Sequence, residues 1–416
     1  MTVVALKNAR VFDGRQIVTE SGSVVIDDDQ IIEVTDGEPV HPYDESFDFS
    51  GHTITPGLID VHTHIVGGDV LPLPDYAASR RMFEGLGMQA FRTADAARRT
   101  LLAGYTTIRD VGCRDYLDVD LRDAIEAGLV FGPRIVACGL GLTPTGGHVH
   151  QRAYEADGRE GVIQAVRQHV RHRVDGIKII GITGGMSTPG QDPGAAQYRY
   201  EEVEAAVEEA HRWSKRVACH AHGAEGIENA VRAGVDTLAH GLFLNSELAE
   251  LMARKGTVFV PTLSNDFHTR RLEKAGQLPE SVFQRRRELQ AMNIVVPSIE
   301  DRMSHARNAG VIVATGSDAG GNAQVRHGTN AAEMVMLVEC GYSPAEALAA
   351  ATSVAAEAIG IGKITGSIEP GKIADLAVFP DNPLENINVV SPLHDGGPSW
   401  VFARGKAVLA DGSPQI

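Results

Sequence analysis

Pro56-Gly57-Leu58-Ile59-Asp60-Val61-His62-Thr63-His64 is an apolar segment that ends on two imidazoles. Side chains alternate along a strand, so His62 and His64 project from the same face. Two neutral imidazoles at a strand end suit a borderline cation such as zinc, and a strand entering a barrel carries both to the C-terminal mouth. The segment therefore predicts the first strand of a barrel that binds metal, with a metal-dependent hydrolase as the leading function. The competing reading is a chance pair of hydrogen-bonded rings, and the rest of the chain decides between them.

Downstream of this strand, apolar runs alternate with helical patterns at the βα rhythm of a parallel sheet. The predicted strands are Leu58–His64, Thr106–Asp110, Arg134–Ala137, Gly176–Ile180, Val217–His220, Thr237–His240, Val258–Pro261 and Ile312–Thr315, with helices such as Glu201–Ser214 and Ala331–Cys340 between them. Eight strands point to a (β/α)8 barrel, an α/β fold, over residues 56–364. Residues 1–55 and 365–416 instead form short alternating strands around Asp, Gly and Pro turns, so the two ends are expected to build one small β-sandwich domain. Ser264–Arg287 is too long for an ordinary connection and is expected to be an active-site loop or lid running into the helix before the eighth strand.

A chain of 416 residues accommodates a barrel of ~250 residues and a smaller domain. Its net charge of -16, with no Lys/Arg-rich run, argues against nucleic acid and anionic membrane surfaces as partners and leaves small molecules. No apolar run approaches the ~20 residues of a membrane span, and the first residues lack the pattern of a signal peptide, so a cytoplasmic protein is expected. Cys113, Cys138, Cys219 and Cys340 stand singly, which suits reduced thiols rather than a disulfide framework.

The predicted strand ends carry a convergent polar set: His62 and His64 on the first, Lys178 on the fourth, His220 on the fifth, His240 on the sixth and Asp318 after the eighth. A soluble core excludes such groups unless they are paired or metal-bound. An ammonium is costly to bury within Gly176-Ile177-Lys178-Ile179-Ile180 and is no metal ligand, whereas a neutral amine can add carbon dioxide. The resulting carbamate has two oxygens to bridge two cations, one with His62, His64 and Asp318 and the other with His220 and His240. Two such cations acidify a bridging water and polarise a carbonyl. Against this stands a surface lysine snorkelling from a misplaced strand.

With these residues in view, the chain resembles the amidohydrolase superfamily, most closely its Xaa-Pro dipeptidase and imidazolonepropionase-like branch. The resemblance rests on the His62/His64 segment, Thr145-Gly146-Gly147-His148, Asp175–Ile179, Cys219-His220-Ala221-His222-Gly223-Ala224, Gly316-Ser317-Asp318-Ala319-Gly320 and the tail Ile368–Leu376. It implies a metal-binding barrel with a β-sandwich from both termini, two divalent metal ions (zinc favoured), a carboxylated Lys178, hydrolysis of a peptide or amide bond, and a homo-oligomer. Asp318 then serves as general base and acid, and His148 as the donor to the scissile carbonyl oxygen. His222 stands where some dipeptidase relatives have a tyrosine that meets the substrate carboxylate, a departure that bears on carboxylate recognition. Arg326, His327 and Tyr198 are further substrate-binding candidates, with Phe267, His268 and Arg270 as possible pocket walls. The glycine-rich stretch Gly181–Gly190 lacks the ending of a P-loop and is expected to touch substrate.

The leading expectation is thus a dipeptidase. N-acyl amino acid, carbamate or toxin-amide hydrolysis and a mononuclear deaminase or cyclic-amide hydrolase remain as alternatives. Outside hydrolases, Lys178 would suit a Schiff-base lyase, which leaves four strand-end histidines without a task, and a metal-free scaffold has no reason to keep the ligands together.

Overall fold

The computed structural model describes residues 2–66, 85–183, 192, 194–278, 280–292, 294–321 and 324–416. Residues 184–190 of the glycine-rich stretch lie outside the described residues. Seven parallel barrel strands are present: Leu58–Thr63, Tyr105–Asp110, Arg134–Ala137, Gly176–Ile179, Arg216–Ala221, Thr237–His240 and Val258–Val260. They pair in two sheets, the first three strands in one and the last four in the other, which the short parallel strands Leu142–Thr143 and Tyr154–Glu155 extend beside Gly176–Ile179. Asp175 joins the two, its N–H donating to Ala137 O (2.7 Å) while its carboxylate accepts from Ala137 N (2.9 Å). Most strand residues are buried on both faces, as a layer between a barrel core and its helices requires.

The expected eighth strand, Ile312–Thr315, is not a regular one. It meets the seventh through a single parallel bridge, Phe259 with Val313, flanked by Phe259 N to Ile312 O (2.8 Å) and Ala314 N to Phe259 O (3.0 Å). Toward the first strand, Val61 N donates to Thr315 O (3.0 Å), but Thr315 N turns to Ala350 O and Ile59 N to Ala351 O. The ladder is cut because those donors go to the turn after a later helix, Pro344–Ala350.

The helices follow the expected periodicity. Tyr200–Arg212 buries Val203, Ala206, Val207 and Ala210, an i, i+3, i+4, i+7 stripe. The second expected helix spans Ala332–Glu339. Ser264–Arg287 is not a loop: it contains helix Ser264–Lys274 and most of helix Glu280–Ala291. All four cysteines are free thiols.

The two termini share one nine-stranded sheet, largely antiparallel, in the order Ser413–Pro414, Lys406–Ala410, Trp400–Ala403, Leu376–Phe379, Thr53–Pro56, Val3–Phe12, Ile17–Asp27, Gln30–Asp36, with Glu45–Asp48 alongside Val3–Phe12. Its seam is Thr53–Pro56 against Leu376–Phe379, over a core that includes Leu6, Val11, Val24 and Phe402. Thr53–Pro56 passes through Gly57 straight into the first barrel strand, so the sheet sets the entry of His62 and His64. A Cβ on Gly57 would lie 2.1 Å from Thr106 Oγ1, so only glycine lets the strands approach here. Asp375, from the tail motif, accepts from Arg134 Nη2 (2.9 Å) and Arg404 N (2.9 Å) while its carbonyl accepts from Gly57 N (2.7 Å). One buried carboxylate residue thus fastens barrel to sheet. Among the described residues no helix is long and apolar enough to cross a membrane.

Candidate metal centre and active site

At the C-terminal end of the first strand, His62 Nε2 and His64 Nε2 lie 3.5 and 3.2 Å from Asp318 Oδ1. One ligand atom from each of the three residues fits within 4.8 Å of the others, a spacing that can hold a metal ion. Asp318 reaches this point because its N–H donates to His62 O (2.8 Å) and its backbone adopts φ 59°. Gly316 makes the approach possible, since a Cβ there would sit 2.6 Å from that of His62. Beneath them Asp60, two residues before His62 on the same strand face, accepts from His62 N (3.0 Å), Ser317 N (3.1 Å), Ser317 Oγ (2.5 Å) and Asn330 Nδ2 (2.7 Å). Burial pushes its carboxyl up to about 6 against the pull of those donors. Asp60 therefore locks the strand that carries His62 to the loop that carries Asp318.

The other half of the mouth is built around imidazoles. The rings of His220 and His240 are 4.3 Å apart, His240 is 5.1 Å from His62, and His148 is 4.6 Å from His220. His240 Nδ1 lies 2.8 Å from Thr262 Oγ1, whose hydroxyl donates to Pro261 O (2.7 Å). That leaves the threonine oxygen as acceptor, so Nδ1 carries the proton and Nε2 the free lone pair. Arg302 Nη1 in turn donates to His240 O (3.0 Å).

Burial, reinforced by neighbouring positive charge, drives His62, His220 and His240 well below the ordinary histidine range, and His148 down to about 4. Burial likewise brings the Lys178 ammonium down to about 8. The buried Arg109 guanidinium adds to this from within the barrel, where it is held by Val61 O (2.7 Å) and Thr237 Oγ1 (2.9 Å). His64 goes the other way. Burial opposes its charge, but the hydrogen bond and charge of Asp318 raise it. Asp318 itself, although buried, is kept below the usual carboxylate range by His64 and Asn265.

Both nitrogens of His62, Nδ1 of His148, Nζ of Lys178 and Nε2 of His220 are buried and make no hydrogen bond among the described residues. Each such atom costs about 1–3 kcal/mol if nothing meets it. Neutral imidazoles, a carboxylate and a deprotonatable amine converging on one mouth are a donor set that fits divalent cations.

The remaining candidates divide. His148 and His222 join the ring cluster, the latter 4.5 Å from His220, with its N–H on Thr183 Oγ1 (2.5 Å). His327 is buried, with Nε2 3.3 Å from the main-chain oxygen of His64. Tyr198 is buried in the core, and its hydroxyl donates to Ala156 O (2.8 Å). Arg326 is exposed and Arg270 is paired with Glu300 (2.7 Å). Phe267 packs against the core, and His268 is buried on the same helix and pushed down to about 4. Asp60, Arg109, Thr262 and Asn265 had not been singled out. Asp60 alone had a legible signal, since it shares the His62 strand face.

Residues 53–408 match the profile of the Amidohydrolase family. Ochratoxinase of Aspergillus niger is 31% identical over 366 residues, covering 81% of this chain and 72% of that protein. Its crystal structure superposes with a TM-score of 0.82 at 28% identity, over 99% of this chain and 96% of the other. A Xaa-Pro dipeptidase crystallised with methionine in its active site gives a TM-score of 0.83 at 33% identity, over 98% and 99% of the two chains. Imidazolonepropionase of Geobacillus kaustophilus is 38% identical over 112 residues, 26% of this chain and 25% of that protein.

Proposed function

This chain belongs to the amidohydrolase family and is a hydrolase of amide bonds, and on that premise we propose that it is a metal-dependent dipeptidase acting on small free dipeptides. The observation that carries the reading is the His62–His64–Asp318 cluster together with the buried nitrogens of His62, His148, Lys178 and His220 that have no hydrogen-bond partner among the described residues. His62, His64 and Asp318 would hold one cation and His220 and His240 a second, and Lys178 as a carbamate would supply further oxygen ligands. Zinc is the metal that imidazole-rich ligation favours. When bound, the cations acidify a water and polarise the scissile carbonyl. Asp318 would act as general base toward the attacking water and as general acid toward the leaving nitrogen. His148, kept neutral by burial, donates its ring N–H toward the carbonyl oxygen as charge develops, a contribution of ~3 kcal/mol for a well-placed donor. His222 is the polar group beside the ring cluster that meets the far end of the substrate.

Similarity to ochratoxinase supports a second reading, hydrolysis of an amide toxin or N-acyl amino acid. Amino-acid release from paired libraries of dipeptides and N-acyl amino acids, by protein purified with zinc and bicarbonate, separates the two. Chelator-sensitive release from free dipeptides is the expected result. Release from the acylated compounds alone selects the second reading, and silence from both overturns the first and the second together.

A further inference from the structure

Helix Ser264–Lys274 begins just after the seventh barrel strand, and three consecutive residues at its start fasten to three different parts of the molecule. Ser264 donates from N (2.7 Å) and Oγ (2.9 Å) to the fully buried Glu333 carboxylate, which also accepts from Leu263 N (3.0 Å). Asn265 Nδ2 donates to Asp318 Oδ2 (2.8 Å). Asp266 pairs with Arg302 (3.3 Å), which holds the His240 carbonyl. The first turn therefore touches the carboxylate beside His62 and His64 on one side and is linked through Arg302 to the main chain of His240 on the other.

Of these contacts, the Asn265 bond alone reaches a group assigned to the reaction. Asp318 turns Oδ1 toward His62 and His64, and Oδ2 toward Asn265. The torsion of a carboxylate about its last bond is broad and two-fold, so a carboxylate fixed at one oxygen only is free to swing or exchange its oxygens. A donor on Oδ2 removes that freedom. The donor is an amide, which has no proton to trade at neutral pH, so a proton taken by Asp318 is not lost to the helix and stays available for the leaving nitrogen. We propose that Asn265 is a positioning residue that fixes which oxygen of Asp318 faces the cation and which carries the proton. The proposal rests on the reading of Asp318 as the base of a metal-dependent hydrolase.

The test compares full-length Asn265→Ala, Asn265→Asp and Asp318→Asn with wild type in steady-state dipeptide hydrolysis, melting temperature, and cobalt(II) titration of chelator-treated protein followed by visible absorption. Removing a group that orients a metal ligand typically lowers activity or metal affinity ~10- to 100-fold. Asn265→Ala is expected to lose kcat in that range with KM within about threefold, an altered cobalt spectrum and an unchanged melting temperature, and Asn265→Asp to lose more because two carboxylates then face each other. Wild-type kcat and cobalt titration in Asn265→Ala, or a fall in melting temperature alone, overturns the proposal. If Asp318→Asn loses turnover while Asn265→Ala behaves as wild type, the positioning role alone fails. If Asp318→Asn also keeps turnover and cobalt binding, the underlying reading fails with it.

Discussion

The two halves of the barrel mouth are built on opposite electrostatic plans. The half around His62 and His64 has its own anions: Asp318 stands 3.2 Å from His64, and Asp60 braces the strand below. The half around His220 and His240 has imidazoles, a threonine hydroxyl and main-chain carbonyls, with no carboxylate bonded to either ring among the described residues. A divalent cation held by two neutral rings lacks the negative charge that its first-strand counterpart has in Asp318. On the proposed reading Lys178, buried and shifted toward the neutral amine, would supply that charge as a carbamate. The comparison gives an otherwise expensive buried lysine a reason to be there.

The comparison breaks most decisively at Lys178. Lys178→Ala removes the anion from the half that has no other, so hydrolysis is expected to fall at least ~10³-fold, with partial recovery on adding short carboxylic acids. A variant with full activity excludes the carbamate. Asp318→Asn comes next: loss of the general base should lower kcat by ~10²- to 10⁴-fold with a smaller change in metal content, measured on the same preparations. Asp60→Asn tests whether the first half is braced independently of the second. It should weaken one of two cobalt sites ~10- to 100-fold and leave the other near wild type.

The smallest effect is in stability against pH. His148 has an unfolded value of 6.5 and a folded value of about 4, so between those pH values the unfolded chain binds more protons. Its contribution is complete above 6.5 and is lost as the pH falls toward 4, at most ~3 kcal/mol. His62, His220 and His240 shift in the same direction. His64 and Asp60 are raised and act in the opposite sense, so the readout is a difference: in scanning calorimetry of chelator-treated protein, the fall in melting temperature from pH 6.5 to 4 should be smaller, or the rise larger, in His148→Phe than in wild type.

The half held by the first strand was also the easier to read. His62 and His64 alternate on an apolar run, and the seven regular strands announce themselves as buried β-rich segments because both faces are covered. Ile312–Thr315 has the same composition, yet its ladder is cut by donors turned to Ala350 and Ala351, which no local pattern reveals. Helix Ser264–Lys274 was missed because Asp266, Arg270, Arg271, Glu273 and Lys274 leave it no clear apolar stripe, and its start is held by Glu333, 69 residues beyond Ser264. Tyr198 and His327 look like pocket residues by type. In the structure both are buried with a polar atom on a carbonyl oxygen, tertiary facts that no local pattern reveals.

The most direct test of the two-plan account is the metal-to-chain ratio of wild type and Lys178→Ala, each purified with zinc and bicarbonate and measured by elemental mass spectrometry. The account predicts two ions per chain in wild type, and one or none in Lys178→Ala together with lost hydrolysis. Equal ratios and equal turnover in the two proteins would contradict it.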